Sequence, residues 1–185
     1  MSTHIDIDKS ANFPPANYGL FAQTATGPSV TGIAEQSIVG TGVGTLSVPA
    51  NAFSIGDSFT CSLDGILSSL SSATIHIHVK TLAGVILADT GVVPMAAATN
   101  KPCLLNLFFT IRTLGGPGTA SISSGGFFSY IRNGGSNFEG FVLSTVNTTT
   151  FDTTVNNTLV ITAQWNTGSA SNKIQSLNFV LTKTY

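Results

Sequence analysis

A chain of 185 residues, 42% hydrophobic and only 8% charged, is long enough to bury roughly 70% of its unfolded surface in one core without staples. A formal net charge of −1 supplies no basic stripe to neutralise phosphates, which argues against nucleic acid and anionic membrane as partners. So few charges protect a free monomer poorly against self-association, whereas interface cores are depleted in charge; an obligate oligomer or dense assembly is the reading, and a secreted Thr/Ser-rich β domain the alternative.

The leading residues, Met1 to Asp8, are polar and acidic, unlike a signal peptide, and no apolar run reaches the roughly 18 residues of a membrane span. Residues 1–35 lack sustained periodicity and carry Phe13-Pro14-Pro15 and Gly27-Pro28. They read as an N-terminal arm that pairs partly with its own or a neighbouring subunit. Residues 36–185 read as one domain. The glycines of Gly40–Thr45 lack the Gly-Lys-Ser/Thr ending of a phosphate loop and precede a strand-like run, Thr45–Val48, so they are expected to form a turn.

From Asp57 onward the chain alternates with a period of two. Phe59, Cys61 and Leu63 oppose Ser58, Thr60 and Ser62. Ile66–Leu70 is the nearest approach to a helix, too short and Ser-rich to be stable. Ile75, Ile77 and Val79 oppose Thr74, His76, His78 and Lys80, and a turn at Leu82–Val85 leads into the next apolar run. Leu105, Leu107, Phe109 and Ile111 share a face, followed by turn signals at Gly115–Gly118. Asn133-Gly134 lies between Phe127–Arg132 and Asn137–Val146, a strong hairpin signal. Leu159, Ile161, Ala163 and Trp165 form another face; Leu177, Phe179 and Leu181 alternate with Asn178, Val180 and Thr182. About ten strands in one domain predict an all-β, antiparallel β-sandwich of the jelly-roll kind, for which eight would suffice as two four-stranded sheets with Greek-key connections.

Two cysteines, Cys61 and Cys103, are too few for a disulfide framework. Cys61 is in phase with an apolar face and reads as a buried thiol. His76-x-His78 places two imidazoles on one strand face, a start toward a metal site, but no third ligand lies near in sequence. An outward polar row with Lys80 is the simpler reading, and no metal or cofactor is expected. If that face meets a neighbouring subunit, the pair becomes a proton-sensitive contact. His4, Asp6 and Asp8 share a side if the arm is extended, although an ordinary polar terminus accounts for them.

The carboxylates Asp6, Asp8, Glu35, Asp57, Asp64, Asp89, Glu139 and Asp152 are scattered, and a glycosidase pair would have to arise by folding. No Gly-x-Ser-x-Gly elbow exists, so no enzyme is expected. Asn147-Thr-Thr and Asn156-Asn-Thr match a glycosylation pattern that recurs by chance in a Thr-rich chain. Phe127, Phe128, Tyr130, Phe138, Phe141 and Phe151 are either core and interface anchors or a platform for stacking sugars.

Val43–Phe59 (VGTLSVPANAFSIGDSF), Leu87–Gly91 (LADTG), Phe109–Arg112 (FTIR), Asn156–Trp165 (NNTLVITAQW) and Ser169–Asn172 (SASN) carry a resemblance through their order, no one of them being diagnostic. The chain resembles the jelly-roll virion proteins of phages and large DNA viruses, which are similar in shape to tumour-necrosis-factor-like trimers. The resemblance spreads over most of residues 36–185 and does not cover the arm. It implies a non-enzymatic structural protein of the virion, a capsid, decoration or fibre-head component. It also implies a homotrimer whose inner sheet, with the C-terminal strand, surrounds a three-fold axis. Carried onto this chain, it makes Leu177–Tyr185 and Phe127–Ile131 axis strands, with Phe127, Tyr130, Leu177, Phe179, Leu181 and Tyr185 at the oligomer interface. Other virion proteins are the further partners implied. The alternative is a carbohydrate- or receptor-binding β-sandwich module with a cell-surface glycan as partner.

Overall fold

The computed structural model describes residues 18–135 and 138–184. Twelve strands follow in chain order: Tyr18–Gln23 (β1), Gln36–Ser37 (β2), Gly42–Gly44 (β3), Ser47–Val48 (β4), Ser58–Ser69 (β5), Thr74–Thr81 (β6), Ile86–Pro94 (β7), Ala98–Thr113 (β8), Ser121–Ile131 (β9), Phe138–Asn147 (β10), Asn157–Trp165 (β11) and Lys173–Lys183 (β12). There is no helix among the described residues. The alternation in β5, β6 and β8 is a direct consequence of the pleat: every second side chain, from Phe59 through Leu67, Ile75 through Thr81 and Cys103 through Ile111, is buried.

Seven strands form one sheet in the order β10-β9-β8-β5-β12-β1-β3, and β2-β11-β6-β7 form the other, with β4 added beside β11. Within them, β1-β12-β5-β8 and β2-β11-β6-β7 are the two four-stranded sheets of an eight-stranded jelly roll. The chain passes from one sheet to the other after β1, β2, β3, β4, β5, β7, β10 and β11. The long hairpin β9–β10 widens the first sheet beyond β8, and the short β3 closes its opposite edge. The inward faces meet around Trp165, Tyr130, Phe128, Phe151 and Phe179. The Tyr130 hydroxyl, inside this core, accepts a hydrogen bond from the Ala96 N–H at 2.8 Å.

The described part of the N-terminal arm pairs with its own chain, β1 lying between β12 and β3, and three other expectations are corrected. Val30 then exchanges backbone hydrogen bonds with Ile174, and its carbonyl accepts from the buried Trp165 indole at 3.0 Å. Residues 1–17, with His4, Asp6 and Asp8, lie outside the described residues. The glycine run does not merely turn, because Gly42–Gly44 is the edge strand β3; a Cβ on Gly44, at φ +92°, would sit 2.1 Å from the Leu20 carbonyl oxygen. The strand expected over Thr45–Val48 is confined to Ser47–Val48. Finally, the pairing of β12 with β5 shifts between Ser176 and Asn178. This bulge turns Leu177 outward while Phe179 and Leu181 remain inside.

Candidate functional site

Two surfaces carry the features of interest, one on each sheet. The outer face of the seven-stranded sheet follows from the registers. Val180, Ser62, Asn106, Phe127 and Val142 lie side by side across β12, β5, β8, β9 and β10. Thr182, Thr60, Phe108, Gly125 and Ser144 make the adjoining row. Phe108 is 54% exposed, Phe127 42% and Val142 85%. Asp64 is the one charged side chain among the described residues of this face between Lys173 at one end of the strands and Arg112 at the other. Its Oδ2 accepts from Asn178 Nδ2 at 3.2 Å, whereas its buried Oδ1 has no donor among the described residues.

The residues assigned to an interface by resemblance divide on this geometry. Phe127 and Leu177 point outward, but Tyr130, Phe179 and Leu181 are buried inside the subunit. They are core, unavailable to another copy, because they occupy the inward phase of strands whose alternate residues face out. Tyr185 lies outside the described residues. Among the other aromatics, Phe128 and Phe151 are buried, Phe141 is half-buried and Phe138 is exposed.

The outer face of the second sheet is its electrostatic opposite. His76 and His78 project from β6 with ring centroids 3.9 Å apart. The hairpin register sets Asp89 of β7 opposite His78. Asp89 Oδ1 lies 2.5 Å from His76 Nε2, and Oδ2 lies 3.7 Å from His78 Nε2. The Gly91 N–H donates to Asp89 Oδ1 at 2.6 Å. Glu35, just ahead of β2, reaches the same place over β11: its Oε1 meets His78 Nδ1 at 2.9 Å, Lys80 Nζ at 2.8 Å and the Thr162 hydroxyl. Burial alone would raise the Glu35 pKa, but hydrogen bonds from Lys80, Thr162 and His78, together with the Lys80 charge, outweigh it and hold the carboxyl at about 2.

The sequence matches no protein-family model and no curated protein. A solved structure that aligns with it is the CBM2 module of the evolved Dit protein of Lactobacillus casei BL23 phage J-1, at 9% identity, covering 92% of this chain and 97% of that one with a TM-score of 0.35. At that distance nothing the module does transfers to this chain.

The remaining carboxylates are engaged locally. Asp57 binds Lys183 Nζ at 2.6 Å and the Ser54 N–H at 3.0 Å, Glu139 faces Arg132 at 3.4 Å, and Asp152 accepts the Thr154 N–H at 2.8 Å. Asn147 is tied into its own turn: its side-chain oxygen accepts from the N–H groups of Thr149, Thr150 and Phe151, and its Nδ2 donates to the Ile86 carbonyl. Cys61 and Cys103 are both buried free thiols. Burial pushes the Cys61 pKa up, and burial aided by the Asp64 charge pushes that of Cys103 up to about 12. A polar groove at the end of the sandwich, between Ser71, Thr99, Asn100, Asn133 and Lys173, has no aromatic lining.

The sequence reading missed Asp89 as a companion of the histidines. The loop Leu82–Gly84, with Gly84 at φ +91°, joins Thr81 to Val85 and Lys80 to Ile86, and a register shift between Lys80 and Val79 then sets His78 opposite Asp89; counting back from the turn without that shift places Ala88 there instead. Glu35 had no local signal either, since its approach depends on β2 pairing with β11 and β11 with β6.

Proposed function

We propose that this protein is a non-enzymatic structural component of a virus or phage particle, a capsid, decoration or fibre-head protein that assembles as a homotrimer. The observation that supports it is the outer face of the seven-stranded sheet, a broad, nearly uncharged surface bearing Phe108, Phe127 and Val142. Contiguous exposed apolar surface of this kind is characteristic of contact sites, and aromatic anchors with almost no charge around them are features of an interface core. The number of copies, three, rests on the resemblance to virion jelly rolls, as does location in the virion beside other virion proteins.

Assembly is favoured over glycan binding because the exposed Phe108 and Phe127 lie on the broad sheet face, and the polar groove at the end of the sandwich lacks an aromatic platform. Light scattering on the purified chain tests self-association: the expected mass is about three times the subunit's 19.1 kDa. A mass of one subunit at micromolar concentration refutes the homotrimer. Mass spectrometry of purified particles from the source tests the virion assignment, which fails if the chain is absent from them.

A further inference from the structure

The cluster on the second sheet lies apart from the proposed assembly face, and its chemistry is independent of that reading. His76, His78 and Asp89 each offer one ligand atom, a ring nitrogen or a carboxylate oxygen, and these three atoms all lie within 4.8 Å of one another. Two imidazoles with one carboxylate form the donor set of a borderline-soft divalent ion; calcium and magnesium take oxygen ligands instead. The supporting shell is also in place. His78 Nδ1 faces Glu35 Oε1 at 2.9 Å, so an N–H there fixes the ring and leaves the Nε2 lone pair turned toward Asp89. A carboxylate behind a ligating histidine is the usual second-sphere device at zinc.

Charge and space agree with this assignment. Lys80 neutralises Glu35 through its 2.8 Å contact, which leaves Asp89 as the uncompensated anion when both histidines are neutral. Tetrahedral zinc, with bonds of about 2.0–2.1 Å, sets neighbouring ligand atoms about 3.3 Å apart. The contact between His78 and Asp89, 3.7 Å, is near that value, and the one between His76 and Asp89, 2.5 Å, needs to open by less than ~1 Å. Asp89 is the most exposed of the three, its side chain 37% accessible, so its carboxylate has room to turn. The solvent side then takes the fourth position.

We propose that His76, His78 and Asp89 bind a divalent transition-metal ion of the zinc class, with Glu35 as the positioning residue that holds His78. The bound ion takes the place of the direct His76–Asp89 hydrogen bond, and the Nε2 hydrogen of the neutral His76 ring moves to its Nδ1.

The test uses the untagged full chain stripped with a chelator and titrated calorimetrically with Zn2+ and, separately, Mg2+ at neutral pH. One Zn2+ per subunit and no uptake of Mg2+ are expected. Zn2+ should raise the melting temperature of the native chain. His76→Gln/His78→Gln, both at outward positions, should abolish binding with the fold intact by circular dichroism. Asp89→Asn should weaken it more than tenfold, and Glu35→Gln by about tenfold. If His76→Gln/His78→Gln fails to fold, Co2+ added to the native chain decides: tetrahedral Co2+ absorption, removed by excess Zn2+, supports the site. Zn2+ binding of equal affinity and stoichiometry in native chain and double variant overturns the assignment, as does absence of both Zn2+ uptake and a Co2+ spectrum in the native chain.

Discussion

Replacing Phe108 and Phe127 together by Asp interrogates the proposed contact face directly. Burying a whole Phe side chain stabilises by about 2–3 kcal/mol. With 54% and 42% of these two residues still exposed in the subunit, covering the remainder is worth about 1–1.5 kcal/mol each. Over three copies the two rings contribute about 7 kcal/mol, equal to roughly five powers of ten in the association constant of a trimer. The Asp side chains add the cost of desolvating unpaired carboxylates at the same place. In the isolated subunit both positions face water, so the melting temperature of the dissociated variant should reflect only the intrinsic stability of the sandwich. Sedimentation velocity checks the outcome: the native chain should run as a trimer and Phe108→Asp/Phe127→Asp as a monomer with unchanged circular dichroism. A variant that remains trimeric at low micromolar concentration refutes the placement of the contact on this face.

The bulge in β12 separates two residues that plain alternation treats alike. Phe179→Ala should cost about 3–5 kcal/mol by opening the core, whereas Leu177→Ala should cost less than about 0.5 kcal/mol in the monomeric background, as read from denaturant midpoints. Both thiols should resist a disulfide reagent at pH 8 and react in full once the chain is unfolded, because burial disfavours the thiolate of Cys61 and of Cys103; rapid labelling of the native protein contradicts this packing. Glu35 has a folded-state value of about 2 against an ordinary 4.5, so its contribution is present above about pH 4.5 and is lost as pH falls toward 2. The full shift corresponds to about 3 kcal/mol, reduced to about 1–2 kcal/mol because solvent reaches the carboxylate. Glu35→Gln should therefore lower metal-free stability by that amount at pH 7 and by little near pH 2, measured by chemical denaturation.

Local periodicity made the fold legible where a strand buries one face. β5, β6 and β8 announce themselves because Phe59–Leu67, Ile75–Val79 and Leu105–Ile111 alternate without interruption. β1 was hidden, since Tyr18–Gln23 follows a proline-rich stretch and owes its strand geometry to β12, far along the chain. The inserted residue at Leu177 is likewise a property of the pairing with β5 and not of β12 read alone. Resemblance pointed to whole strands and so mixed the outward Phe127 with the inward Tyr130. The His76–His78 pair was visible from spacing, whereas Asp89 comes opposite His78 only through a register shift between Val79 and Lys80 that no local pattern encodes. Glu35 required two successive long-range strand pairings, which no local pattern encodes.

The pairing of Tyr18 with Lys183 sets the start of β1 and the end of β12 side by side. Any polypeptide leading into β1 and any following β12 therefore depart from a common pole. The groove beside Ser71 and Lys173 lies at the far pole, about 33 Å away along an eleven-residue strand. A fused partner joined next to Tyr18 or Lys183 is delivered to one pole and leaves the other unobstructed. For the same reason, a short linker running from Lys183 directly into Tyr18, with the chain opened at Ala83-Gly84, should yield a permuted chain that closes into the same sandwich.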